Sequence, residues 1–425
     1  MLRRAALVGL ALALVAPAGD SAQAEALGPE RPVVALIDSG ADVWDLRARG
    51  RLWTNPDDPV DGRDDDANGY PDDRYGWDFS AADNDPFDWP SVNREKLVPA
   101  GDAVSHGTAL SFYVETAAGA APGPRLMVLR VTDSTGPFTA SVLHAAVAYA
   151  IAEGAEIISL AIGGDWLGDT VEVAELVRRH PDRIVVIAAG NSGEEIPPDS
   201  ILGRLCSETH VVCVASTDRT GRRLGTGLTA SNYGLTVDVA AFGGPVRAPG
   251  RRLQTVELAA VLDADGALAP PSGRSCVVTS AQWPGAAGRR SVREVPLGGR
   301  VPRPVRRDGD SRATCPSAAG EPEESMLDGT SVAAGFVTGE LAERLHARPD
   351  AEPAEIVRRF LDELEEVEQL SSSVRGGRVM LLEGEPPARR NPRLRAVLLL
   401  LAAGMLVSLC AVAVVRTRRT RGDRS

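Results

Sequence analysis

Short, unbroken apolar runs constrain this chain more than any other feature. Val33 to Gly40 reads VVALIDSG, Arg125 to Val131 RLMVLRV, Glu156 to Ile162 EIISLAI, Ile184 to Gly193 IVVIAAGNSG and Val211 to Ala215 VVCVA. A strand that is apolar at successive positions is buried on both faces, the condition of a strand inside a parallel sheet covered by helices. Residues 140–153 supply small side chains at helical spacing between two of these runs, so strand, helix and strand follow one another as a parallel sheet requires. With 425 residues, 44% of them hydrophobic, one large domain with appendages can bury a substantial core. A formal net charge of −12 argues against nucleic acid as a partner.

In open parallel sheets, reactive groups gather at the carboxyl ends of the strands. The first run ends in Asp38-Ser39-Gly40, which makes Asp38 a candidate orienting carboxylate. Ser105 to Thr108, SHGT, opens a small, apolar helical segment over 109–118 with His106 at its start, where one ring nitrogen can face a nucleophile and the other a carboxylate. Ile184 to Gly193 delivers a glycine-flanked Asn191, an amide able to donate to an oxyanion. Leu327 to Gly339, LDGTSVAAGFVTG, places Ser331 at the first turn of a buried helix, whose unpaired N–H groups suit developing negative charge. Taken singly, Gly-Thr-Ser is also ordinary helix-capping chemistry. His144, in mid-helix, reads as structural.

The order Asp, His, Ser is that of subtilisin. With DSG, HGT, AAGNSG and GTSVAAG standing where that family carries its aspartate, histidine, asparagine and serine motifs, residues 33–382 resemble the subtilisin-like serine proteases, the subtilases of peptidase family S8. The resemblance implies an α/β, three-layer subtilisin-like fold with a mainly parallel central sheet flanked by helices. It implies a serine endopeptidase acting on protein or peptide substrates, with Ser331 as nucleophile, His106 as base, Asp38 as orienter and Asn191 as oxyanion donor. Ser159, Leu160, Ala161 and Gly163 would form the edge along which an extended substrate adds. Three departures keep a second reading open, that of an impaired, membrane-tethered pseudoprotease binding peptides or partner proteins. The second histidine usual after HGT is replaced in HGTALSFYV, the proline usual after the paired alanines is missing from GTSVAAGF, and only about eight residues separate a leader from the Val33 strand where relatives carry a pro-domain.

Residues 53–79, and 57–73 above all, are rich in acids and turn formers. Asp64, Asp66, Asn68, Asp72 and Asp73 cluster around Gly69, as a structural calcium ion would require, and many subtilases carry a similar loop. Asp83, Asp85 and Asp88 extend the same expectation; a solvated acidic loop is the plainer alternative. In an exported protein, Cys206 and Cys213 are expected to bridge, and Cys276 and Cys315 to staple a Gly-, Pro- and Arg-rich insertion at about 244–324 that reads as irregular loops. Arginines there, if near a cleft, would favour acidic substrates. An amphipathic helix over 354–367 and a strand over 376–382 close the domain.

The ends carry addresses. Residues 1–24 have the layout of a secretory signal peptide, ending Ala-Gln-Ala. After the 25–383 peptidase domain come a Pro- and Arg-bearing stalk (384–395), about 20 apolar residues at 396–415 containing Cys410, and a basic tail (416–425). That pattern reads as a single-pass membrane anchor with the catalytic domain outside the cytoplasm.

Overall fold

The computed structural model describes residues 31–88, 106–119, 123–132, 139–162, 171–225, 229–250 and 323–380, together with four strands between 253 and 316. The expected leader, stalk, apolar span and tail lie outside the described residues. Among those described, no helix is long and apolar enough to cross a membrane.

In chain order the elements of the first half are β1 (Val33–Asp38), α1 (Val43–Ala48), β2 (Trp77–Asp78), α2 (His106–Ala117), β3 (Arg125–Arg130), α3 (Ala140–Ala152), β4 (Ile157–Leu160), α4 (Val171–Arg179) and β5 (Ile184–Ala188). There follow α5 (Ile201–Leu205), β6 (Val211–Thr217), β7 (Val239–Phe242), an inserted series β8 to β13 (246–327), α6 (Thr330–Ala347), α7 (Pro353–Glu363), β14 (Glu365–Glu366) and β15 (Arg378–Met380). Nine strands form one sheet in the order β14-β15-β7-β6-β5-β4-β1-β3-β2. All neighbours run parallel except β14 against β15. The expected mainly parallel, helix-flanked sheet is therefore what the chain builds.

Alternation within each buried strand splits the core into two layers. Val33, Ala35 and Ile37 join Leu143, Val147, Val173, Val177 and Leu202 on the face covered by α3, α4 and α5. Val34 and Leu36 join Leu110, Val114, Val332, Phe336 and Phe360 on the face covered by α2, α6 and α7. Side chains of a strand point alternately to the two sides, so runs apolar at every position feed both layers.

The approach of α2 to α6 depends on small residues. A Cβ on Gly335 would stand 2.7 Å from Leu110 Cδ1, and one on Gly339 would stand 2.1 Å from the Val114 carbonyl oxygen. Contacts advance together along the two helices, 335 with 110 and 339 with 114, so they run parallel and their amino-terminal turns lie side by side. That brings the start of α2, His106, to the start of α6, Ser331.

Two boundaries differ from expectation. The final helix stops at Glu363, because Glu365 and Glu366 pair antiparallel with β15. The closing strand starts at Arg378, after a turn in which Gly376 and Gly377 both have positive φ (68° and 66°). The larger correction concerns the insertion, which is a β structure. Strands β8 (Val246–Gly250) and β13 (Glu323–Leu327) form an antiparallel stem, and β9 (Leu253–Glu257), β10 (Cys276–Ser280), β11 (Ser291–Val295) and β12 (Arg312–Pro316) form a four-stranded sheet ordered β11-β10-β12-β9. Five-residue strands set among Gly and Pro carry too little periodicity to be read locally. The register that pairs Val277 with Thr314 sets Cys276 opposite Cys315 along the two backbones.

Candidate active site

Asp38 ends β1 at the carboxyl edge of the sheet and is buried. Its Oδ1 accepts from the Ser39 backbone N–H (2.8 Å) and from Ser39 Oγ (3.2 Å), and lies 2.7 Å from His106 Nδ1. A buried acceptor so bonded orients the ring, leaving Nε2 as its working nitrogen. Glycine at 107 is required for this contact: a Cβ there would stand 2.0 Å from the Gly40 carbonyl oxygen and 3.0 Å from Asp38 Oδ1.

The His106 side chain keeps 35% of its surface exposed, whereas that of Asp38 keeps 1%. Burial works against the charged ring, yet the Asp38 carboxylate, by charge and hydrogen bond, and Asp88 behind it outweigh that effect and leave the His106 pKa raised.

The serine side is assembled from two strand ends. Gly329 (φ 119°) caps α6 without a side chain, and the tight turn lets Asn191 approach; a Cβ on Gly329 would stand 2.9 Å from Asn191 Oδ1. Asn191 Oδ1 accepts from the Thr330 backbone N–H (2.9 Å) and Thr330 Oγ1 (3.1 Å). Since a backbone N–H can only donate, these bonds fix the amide orientation and commit Oδ1, so Nδ2 is the group left for an incoming oxygen. Ser331 follows in the first turn, 8% exposed. Among the described residues no hydrogen bond joins His106 to Ser331. Such contacts tighten when substrate binds.

Asn232 escaped the sequence reading. Its Oδ1 accepts from the N–H groups of Ser192 and Glu194 (both 3.0 Å), and its Nδ2 donates to the Ala189 carbonyl oxygen (3.0 Å), so it holds the Asn191 loop from both sides.

Ser159 and Leu160 do not form a substrate edge. Both lie within β4, paired on one side with Leu36 and Ile37 and on the other with Val186 and Ile187, so no added strand can reach their backbones. Ser159 Oγ accepts from Thr338 Oγ1 beneath the sheet. Ala161, just past the strand, is buried, and Gly163 lies outside the described residues.

The acidic loop is also organised differently from expectation. Asp64 and Asp66 converge with Asp58, oxygens of all three lying within 4.8 Å of one another. Asp72 Oδ1 instead accepts from the N–H groups of Asp61 and Gly62 (both 2.6 Å), and Asn68 Oδ1 from that of Tyr70 (2.8 Å). Asp73 is buried beneath, accepting from Asn55, Asn68 and the Tyr149 hydroxyl (2.7 to 2.8 Å). The Asp85 N–H donates to Asp83 within its own turn, and Asp88 lies at α2. Burial, with the charges of Asp66 and Asp72, raises the Asp58 pKa even though two backbone N–H groups favour its ionised form. Of the two expected disulfides, Cys206 and Cys213 are bridged, their Cα atoms 5.5 Å apart at the entry to β6.

The sequence profile of peptidase S8, the subtilase family, matches residues 30–371. This chain belongs to the subtilase family. It is 31% identical over 210 residues to the thermophilic serine proteinase of Bacillus sp. (strain AK1), covering 49% of this chain and 43% of that protein. To thermitase of Thermoactinomyces vulgaris it is 29% identical over 168 residues, covering 40% of this chain and 54% of that protein. This subtilase thus spans about half the length of the curated relatives it matches. A solved structure that gives the basis of subtilase cytotoxin SubAB assembly is 17% identical to it, with a TM-score of 0.47 over 82% of this chain and 87% of that chain.

Proposed function

We propose that this subtilase is a serine endopeptidase working through Asp38, His106 and Ser331. The observation that carries the proposal is the convergence at one sheet edge of a carboxylate-bound imidazole with a helix-start serine beside an oriented asparagine amide. Ser331 Oγ attacks the peptide carbonyl carbon while His106 Nε2 takes its proton. The tetrahedral oxyanion is held by Asn191 Nδ2 and the Ser331 N–H. His106 then protonates the leaving amine, and water hydrolyses the acyl-enzyme by the reverse sequence of proton transfers. Asp38 holds the ring in place, and its charge favours the imidazolium.

The test is labelling of the full chain by a fluorophosphonate, beside Ser331→Ala. Labelling of the parent alone supports the triad. A folded parent that takes no label, yet binds unfolded polypeptide, would replace it with the pseudoprotease reading, which the departures after His106 and after Ala334 favour.

Calcium is the second element of the proposal. Asp58, Asp64 and Asp66 would hold it, because the donors are all carboxylate oxygens and their mutual crowding lacks a cation among the described residues. It would neutralise the loop and fasten it. We further propose that Cys276 and Cys315 bridge across β10 and β12, that residues 1–24 direct export, and that residues 396–415 anchor the domain outside the membrane. The anchor is tested by asking whether the protein stays with membranes under alkaline carbonate; release there would remove it from the proposal.

A further inference from the structure

Asp88 has no part in the mechanism above, yet it is 2% exposed and lies against the active site. Its place is fixed by backbone. The Asp88 N–H donates to the Ala41 carbonyl oxygen (3.1 Å) and the Ala41 N–H to that of Pro86 (3.2 Å), a short parallel bridge beside the end of β1. Gly40 permits this, since a Cβ there would stand 2.5 Å from the Pro86 oxygen.

From that position the side chain serves the first turn of α2. Asp88 Oδ2 accepts from the Thr108 backbone N–H (2.8 Å) and from Thr108 Oγ1 (3.0 Å), placing an anion at the positive end of the helix that begins with His106. Ser39 Oγ accepts from the Gly107 N–H (3.0 Å) and donates to Asp38 Oδ1. Asp38, Ser39 and Asp88 thus hold residues 106, 107 and 108 in succession, through the imidazole, the Gly107 N–H and Thr108.

We propose that Asp88 is a positioning residue of the peptidase site, clamping the first turn of α2 through Thr108 and setting a second negative charge behind His106. The inference rests on the Asp-His-Ser reading. Its physical content is that each rotation of that helix turn would move Nε2 off the serine, and that a buried anion favours the imidazolium formed on attack. Burial pushes Asp88 up to about 6 despite its bonds to Thr108, and the neighbouring charge of Asp38 adds to the rise. The two Thr108 donors favour its ionised form. The other charged groups around His106 among the described residues are Asp38 on β1 and Arg130 on β3, whose guanidinium is bound to the Ser39 carbonyl oxygen and to Asp78. The first turn of α6, TSVAAG, brings none.

The experiment compares the full chain with its Asp88→Asn variant, measuring fluorophosphonate labelling and steady-state hydrolysis of a reduced, alkylated protein from pH 5 to 9. Asp88→Asn is expected to lower kcat about 10-fold at unchanged KM and to move the acid limb of kcat/KM down by about half to one pH unit, because an anion favouring the charged ring is gone. An unchanged kcat and limb would overturn the proposal. So would a fall in kcat with an unmoved limb, the result of a merely structural role. If the parent itself is unlabelled, the triad reading fails first and this inference with it. Should Asp88→Asn not fold, Thr108→Val and Thr108→Ser decide: loss of kcat in the first with rescue in the second is expected, and equal kcat in both refutes the clamp.

Discussion

Two groups of carboxylates lie in this fold, and the chain treats them in opposite ways. Asp38 is buried at a strand end, where three donors meet on one oxygen and one of them is an imidazole that can take a positive charge. Asp58, Asp64 and Asp66 crowd within 4.8 Å and receive N–H groups of Asp65, Asn68, Gly69 and Asp73 and the Asn55 amide, but among the described residues no basic side chain pairs with them. The first group has its counter-charge built in and can stabilise a charge that appears during reaction. The second has its donors built in and its counter-charge left to a solute. The same side chain thus serves chemistry in one place and fastening in the other, and the difference is which partner the fold supplies.

The sharpest way to break that distinction is Asp38→Asn. An amide at this position holds the wrong imidazole tautomer and offers no charge, so kcat/KM should fall about 10⁴-fold, with folding intact by circular dichroism. Asp58→Asn should leave kcat nearly untouched in saturating calcium; a comparable loss there would erase the contrast. Next in size is Asn191→Ala, expected to lower kcat about 10²- to 10³-fold with a small change in KM, because its amide acts on the oxyanion and not on the bound ground state.

The third prediction concerns stability. A ligand held only by the folded state adds about 2.7 kcal/mol at 100 times its dissociation constant, so calcium should raise the midpoint of thermal unfolding and a chelator should lower it. Asp58→Asn should lose most of that increment, while its metal-free form should be no less stable than the metal-free parent, since one of three like charges is gone. A calcium increment that survives Asp58→Asn would place the ion elsewhere.

The contrast also explains what could be read from sequence. Asp38, His106, Asn191 and Ser331 were legible because each sits in a local pattern, at a strand end or a helix start, whose backbone requirements are written in adjacent glycines. The parallel sheet was legible for a similar reason, since each strand is buried on both faces over its own length. Asp58 was missed because it precedes the Asp64 cluster and reaches it only through the fold of the turn, where its oxygens take the N–H groups of Asp65 and Asp73. Asn232 and Asp88 act on loops distant in sequence, with no local mark. Ser159 and Leu160 were misplaced because an apolar run does not announce where pairing stops. The β insertion stayed hidden because its stem joins residues as far apart as Val246 and Leu327.

The smallest effect separates the two carboxylate groups by pH. Burial pushes Asp73, beneath the acidic loop, up to about 6, against bonds from Tyr149, Asn68 and Asn55 that favour its ionised form. An acid whose folded pKa lies above its unfolded value binds its proton more tightly in the folded state, so stability falls as pH rises from about 4 to about 6, by on the order of 2 kcal/mol. The His106 ring, raised by Asp38, gives stability that is present below its ordinary pKa and lost as pH rises through the higher folded value. A cation at Asp58, Asp64 and Asp66 favours ionised neighbours, so calcium should flatten the first decline and leave the second in place. Thermal melts across pH 4 to 9, with calcium and with chelator, make the comparison. If calcium changed both windows equally, the loop and the strand end would form one electrostatic system, and the separation between a reactive and a fastening group of carboxylates would not hold.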